Sequence, residues 1–159
     1  MDTDGAAADE HDGDDRAGPV ADLHCPAVPA EPERLAGLRR ALTEWAERIG
    51  MAVEQVEVVA LAGYEALANV AAHAYPDGGG VLDMHAVYRP DTAQVEVTVS
   101  DHGSWRRPPA ERADMGGRGL VLIRSLAEQA EVTAGTSGTT VRMAWTVVPQ
   151  AEAVRPSPP

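Results

Sequence analysis

Glu65-Ala66-Leu67-Ala68-Asn69-Val70-Ala71-Ala72-His73-Ala74-Tyr75 is the stretch that decides how this chain folds. Its three polar residues, Glu65, Asn69 and His73, are spaced four apart and so fall on one line along a helix. The spacing predicts a helix from Val53 to Tyr75, with Val56, Ala60, Gly63, Leu67, Val70 and Ala74 as its apolar stripe. The polar line lies nearly opposite Leu67 and is flanked by Ala62, Ala66 and Ala72, which leave room for a bulky group. A solvated face needs polar residues but has no use for the small ones beside them. Pro76 and the run Asp77-Gly78-Gly79-Gly80 end the helix.

Upstream, Pro32 to Ile49 repeats Leu35, Leu38, Leu42, Trp45 and Ile49 at spacings of three and four, an amphipathic helix with proline in its first turn. Leu23 to Val28 reads as an extended run closed by Pro29. Downstream, Val81 to Tyr88 and Gln94 to Ser100 read as strands joined by Arg89-Pro90-Asp91-Thr92. The second alternates Val95, Val97 and Val99 with Glu96 and Thr98, the pattern of a half-buried strand in a hairpin. Asp101 to Gly119 reads as a long loop, Leu120 to Gln129 as a third helix, and Glu131 to Ala134 and Thr139 to Val148 as a second hairpin. This order predicts an α+β fold: a two-layer α/β sandwich with a mostly antiparallel sheet covered on one face by about three helices.

Three further stretches bear on chemistry. The strand ending in Asp101-His102-Gly103 places a carboxylate beside a residue that permits close backbone approach, which suits a ligand amino group as well as an ordinary turn. Gly116-Gly117-Arg118-Gly119, read as leading into a helix at Leu120, offers backbone N–H groups and a favourable dipole to phosphate. Gly138-Thr139-Thr140 opens the last strand.

Composition limits the alternatives. The chain has 159 residues, enough for one domain, and 44% hydrophobic residues, enough for a core. Of its net charge of -12, residues 1–22 carry -7 and the rest -5. An acidic chain repels phosphate backbones and anionic lipid, so direct nucleic-acid or membrane binding is not expected. All 13 basic residues are arginines, which excludes a P-loop lysine and a Schiff-base lysine. The single cysteine, Cys25, forms no internal disulfide, and the acidic N-terminus has no apolar signal region. Both fit a cytoplasmic protein. The expected organisation is a disordered acidic tail over residues 1–21, one domain over 22–149 and a Pro-rich tail over 150–159.

Taken in order, Glu65-x-x-x-Asn69 on a helix, Asp101-x-Gly103 after a strand, Gly117-x-Gly119-Leu120 opening a helix and Gly138-Thr-Thr140 resemble the Bergerat ATP-binding fold. That superfamily includes gyrases, heat-shock chaperones, histidine kinases and mismatch-repair ATPases. The wording of the Glu65–Tyr75 stretch and of Gly117-Arg-Gly-Leu-Val-Leu-Ile-Arg124 is most similar to the anti-sigma factor serine/threonine kinases of bacterial stress and sporulation switches. The resemblance spans residues 22–148.

It implies a protein serine kinase that transfers the ATP γ-phosphate to an anti-anti-sigma partner and sequesters a sigma factor. Asn69 is then the Mg²⁺ ligand, Glu65 the general base, and Asp101 the acceptor for the adenine amino group. Gly103 lets the purine approach, and Gly117, Arg118, Gly119 and Leu120 lie at the phosphates, behind a lid over residues 104–116. Thr140 is a second adenine-side contact, and His73 packs or hydrogen-bonds near the nucleotide. Members of the family often dimerise, and no feature of this sequence requires it. Glu65 favours catalysis over a non-catalytic nucleotide-dependent switch, yet ATPases of the same fold also keep this glutamate. A hydrolase triad of Asp101, His102 and Ser104 is excluded because close sequence neighbours cannot converge in that geometry. A zinc site at Glu65, Asn69 and His73 lacks the expected His or Cys ligands.

Overall fold

The computed structural model describes residues 19–104 and 113–150, with the backbone alone for 113–117. The two expected tails, most of the expected lid and Trp105 lie outside the described residues. The elements run β1 (Leu23–Pro29), α1 (Pro32–Arg48), α2 (Val53–His73), β2 (Val81–Arg89), a 3₁₀ turn (Pro90–Thr92), β3 (Gln94–Asp101), α3 (Ala113–Leu126), β4 (Gln129–Gly135) and β5 (Gly138–Thr146). The five strands form one antiparallel sheet in the order β1-β2-β3-β5-β4. The expected α+β sandwich is the observed fold.

Period-two alternation sorts the sheet into two faces. Leu82, Met84 and Ala86 of β2, Val95, Val97 and Val99 of β3, and Val141, Met143 and Trp145 of β5 are buried beneath the helices. The opposite face carries ion pairs instead: Arg142 reaches both Glu96 and Glu131, and Arg89 reaches Glu96. These pairs are partly exposed, so each contributes little to stability. β1 is interrupted by a bulge between Cys25 and Val28, where Ala27 adopts φ 51° and donates its N–H to Asp83 Oδ1 at 2.8 Å.

Helix α1 buries Leu35, Leu38, Leu42 and Trp45, four of the five residues its spacing marks, while Ile49 caps the helix half-buried. Trp45 is fully buried, and its indole N–H is satisfied by the Ala21 carbonyl at 2.9 Å. Gly63 on α2 is what lets α1 approach, since a β-carbon there would come within 2.6 Å of Leu42 Cδ2.

Two expectations are corrected. Helix α3 begins at Ala113 rather than Leu120 and ends at Leu126, so Gly116 to Gly119 lie inside it. Helix α2 is apolar over more of its circumference than one stripe, because α1 packs on one side and α3 on another. Ala62, Ala66 and Asn69 are therefore buried together with Leu67. Among the described residues, no helix is long and apolar enough to cross a membrane.

Candidate functional site

Asn69 is 8% exposed, on the side of α2 that meets α3. Opposite it stands Gly119, where a β-carbon would come within 2.8 Å of Asn69 Oδ1 and 3.0 Å of Nδ2. Among the described residues, Asn69 Nδ2 has no hydrogen-bond partner. A buried amide N–H left unpaired costs about 1–3 kcal/mol, so this position suits an acceptor such as a water or a phosphate oxygen. Glu65, one turn earlier on α2, is half-buried. The side-chain oxygen of Asn69 suits a cation that draws most of its oxygens from a ligand and from water, as Mg²⁺ does with nucleotide phosphates, and the Glu65 carboxylate stands on the same face one turn away. Among the described residues, no three His, Cys, Asp or Glu side chains gather into a self-sufficient metal site.

The second half of the site lies at the C-terminal ends of α2 and β3. Asp101 ends β3 on its inner face and is 3% exposed. Its Oδ1 accepts the backbone N–H of Gly103 at 2.9 Å and that of Thr139. These two donors fix how the carboxylate is presented. Gly103 is packed so closely on the Ala74 carbonyl that a β-carbon would collide with it, and Ser104 donates its N–H to the same carbonyl at 3.1 Å. Gly138, at φ 131°, is equally constrained, because a β-carbon there would strike the Asp101 carbonyl. A cavity of about 280 Å³ opens beside this turn, lined in part by Ala74, Tyr75, His102, Gly103 and Ser104.

Asn69 and Gly119 thus meet between α2 and α3, and Asp101 and Gly103 meet where β3 ends beside the end of α2. The remaining expected residues are placed less uniformly. His73 and Arg118 are exposed, whereas Leu120 is partly buried against the core. Gly117 is described by its backbone alone, and that backbone is helical. Thr140 pairs with Ser100 and Thr133 on the outer face of the sheet, away from the carboxylate. The threonine beside Asp101 is Thr139, 3% exposed, which the sequence reading passed over. Tyr75 and the Ala74 carbonyl were passed over too. Cys25 takes no part, and burial pushes its thiol pKa up, which makes it a poor nucleophile.

The model of the histidine kinase-like ATPase domain family matches residues 28–145. The chain is 32% identical over 134 residues to the serine-protein kinase RsbW of Bacillus pumilus, covering 73% of this chain and 80% of that protein. It is 30% identical to the protein of the same name from Oceanobacillus iheyensis, over 66% of this chain and 75% of that one. The Bacillus subtilis serine-protein kinase RsbW is likewise 30% identical, over 73% and 80%. Among solved structures, the RsbU and RsbW domains of a Mycobacterium tuberculosis protein superpose with a TM-score of 0.66 at 23% identity. That match covers 82% of this chain and 34% of the other, so the present chain spans about a third of it. The histidine kinase domain of an Erythrobacter litoralis blue-light-activated kinase gives a TM-score of 0.53, also at 23% identity, over 75% of this chain. These two superpositions concern the fold.

Proposed function

This chain belongs to the histidine kinase-like ATPase domain family, and from that premise we propose that it is an ATP-dependent protein serine kinase of the anti-sigma factor type. Its substrate is a serine of an anti-anti-sigma protein, and its other partner is a sigma factor that it sequesters. The observation that carries this reading is the buried Asn69 amide set against Gly119, its Nδ2 without a hydrogen-bond partner among the described residues, with Glu65 one turn away on the same helix.

Each residue then has a task. Asp101, oriented by the N–H groups of Gly103 and Thr139, accepts a hydrogen bond from the adenine amino group. Gly103 keeps that wall free of side chain. Gly119 leaves the Asn69 amide open to the phosphate end of the nucleotide. Glu65 takes the proton from the attacking serine hydroxyl as its oxygen bonds to the γ-phosphorus and the bond to the β-phosphate oxygen breaks, releasing ADP. Mg²⁺, held by Asn69 together with the nucleotide phosphates, would supply charge neutralisation at the transferring group. With no lysine in the chain, further positive charge at that end falls to arginines such as Arg118.

The deciding experiment is phosphotransfer from γ-labelled ATP to a candidate anti-anti-sigma protein. Label on a serine of that protein is the expected result. Nucleotide-dependent complex formation without label would replace the kinase reading with a non-catalytic switch.

A further inference from the structure

Tyr75 stands just beyond the end of α2, half-buried, with its side chain directed at two separate parts of the chain. Its hydroxyl donates to the Val81 carbonyl at the start of β2 and accepts the backbone N–H of His102 at 2.9 Å. A tyrosine hydroxyl has one hydrogen to give and lone pairs with which to accept, and both capacities are used here. The ring occupies space that only glycine leaves at position 80, since a β-carbon on Gly80 would run into it.

His102 is the middle residue of the Asp101–Gly103 turn. The next N–H along, that of Gly103, is one of the two donors that orient Asp101, and Ser104 is held by the neighbouring Ala74 carbonyl. Two consecutive residues at the end of α2, Ala74 and Tyr75, therefore hold the turn from outside. We propose that Tyr75 is a positioning residue for base recognition: it sets the Asp101–Gly103 turn against α2, and hence the direction in which the Asp101 carboxylate meets the base. The inference rests on the reading of Asp101 as the adenine acceptor.

Phenylalanine at position 75 keeps the ring and its packing but leaves the His102 N–H and the Val81 carbonyl without their partner. The turn is then released on its outer side. Asn69 and Gly119, nearly two helical turns earlier along α2 and across from it on α3, make no contact with this hydroxyl. The loss should fall on the base and spare the phosphates.

The test is calorimetric binding of Mg·ATP and Mg·GTP to the full chain, with a thermal melt of each variant. The wild type should prefer ATP. Tyr75→Phe should lose ATP affinity by on the order of fivefold, the scale of one lost hydrogen bond, with GTP affinity unchanged, so that the preference narrows. Gly80→Ala, which displaces the same ring from its other side, should narrow the preference in the same direction and decides the matter if Tyr75→Phe does not fold. Equal losses for both nucleotides, or an unchanged preference in a folded variant, would overturn the positioning role and leave the Asp101 reading standing. A wild type without preference for ATP would overturn the Asp101 reading and this inference with it.

Discussion

Thr139 and Asp101 are partners across the β3–β5 ladder, and the Thr139 N–H reaches Asp101 Oδ1 at 3.3 Å. Both side chains lie on the helix-covered side of the sheet, and both are 3% exposed. The threonine one residue further on is turned to the other face. We assign the buried Thr139 hydroxyl beside Asp101 to the adenine side of the nucleotide, so Thr139→Val, which keeps the N–H to Asp101 and removes that hydroxyl, is expected to lower ATP affinity several-fold. Thr140→Val should leave it unchanged. Titration of both variants with Mg·ATP checks the pair, and an effect at Thr140 alone would place the nucleotide on the wrong face.

Asp101→Asn retains an oxygen for the N–H groups of Gly103 and Thr139 but turns the other acceptor into a donor. ATP affinity should fall by about tenfold or more, while GTP binding changes little. Asp101→Ala is expected to be worse for the fold itself. It leaves two buried N–H groups without their acceptor, at about 1–3 kcal/mol each by the usual cost of such groups. A chemical denaturation series separates the two effects, and a fully stable alanine variant would contradict them.

Gly119→Ala sets two terms of similar size against each other. Alanine stabilises a helix interior by about 1 kcal/mol over glycine. The new methyl, however, must share space with the Asn69 amide, which lies within 3.0 Å of it. The melting temperature should therefore move by only a few degrees, while nucleotide binding falls by at least about tenfold, because Asn69 can no longer keep its present orientation. Unaltered binding would remove the α2–α3 contact from the site.

Glu65→Ala should abolish transfer of phosphate to the serine partner and leave most of the ATP affinity intact, since the carboxylate is assigned to the attacking hydroxyl and not to the nucleotide. Single-turnover phosphotransfer alongside direct binding measures both. Transfer at the wild-type rate in this variant would require another base.

Much of this was legible before any coordinates. Leu35, Leu38, Leu42 and Trp45 announce α1 by their spacing, and Val95, Val97 and Val99 announce the inner face of β3. The order of Glu65, Asn69, Asp101, Gly103, Gly117, Gly119 and Gly138-Thr-Thr140 points to the family. What escaped has physical causes. Gly116 to Gly119 read as loop because glycine is a poor helix former, a local preference that the packing of α3 on α2 overrides. Asn69 read as part of an exposed ridge because periodicity on one helix does not show how many neighbours will cover it. Thr139 could have been found: counting back by twos from Met143 and Val141 puts it, and not Thr140, on the buried side. Tyr75 could not, since its partners are main-chain groups that no residue pattern marks.

Helix α3 holds Gly116, Gly117 and Gly119 within its first seven residues. At about 1 kcal/mol each against alanine, they add to the nucleation cost that already keeps two helical turns from forming alone. Helix α3 therefore owes its formation to packing on α2, where Gly119 meets Asn69. Glycine at position 119 thus serves the contact between two helices rather than the helix it belongs to, and the local sequence gives up helix propensity for that approach.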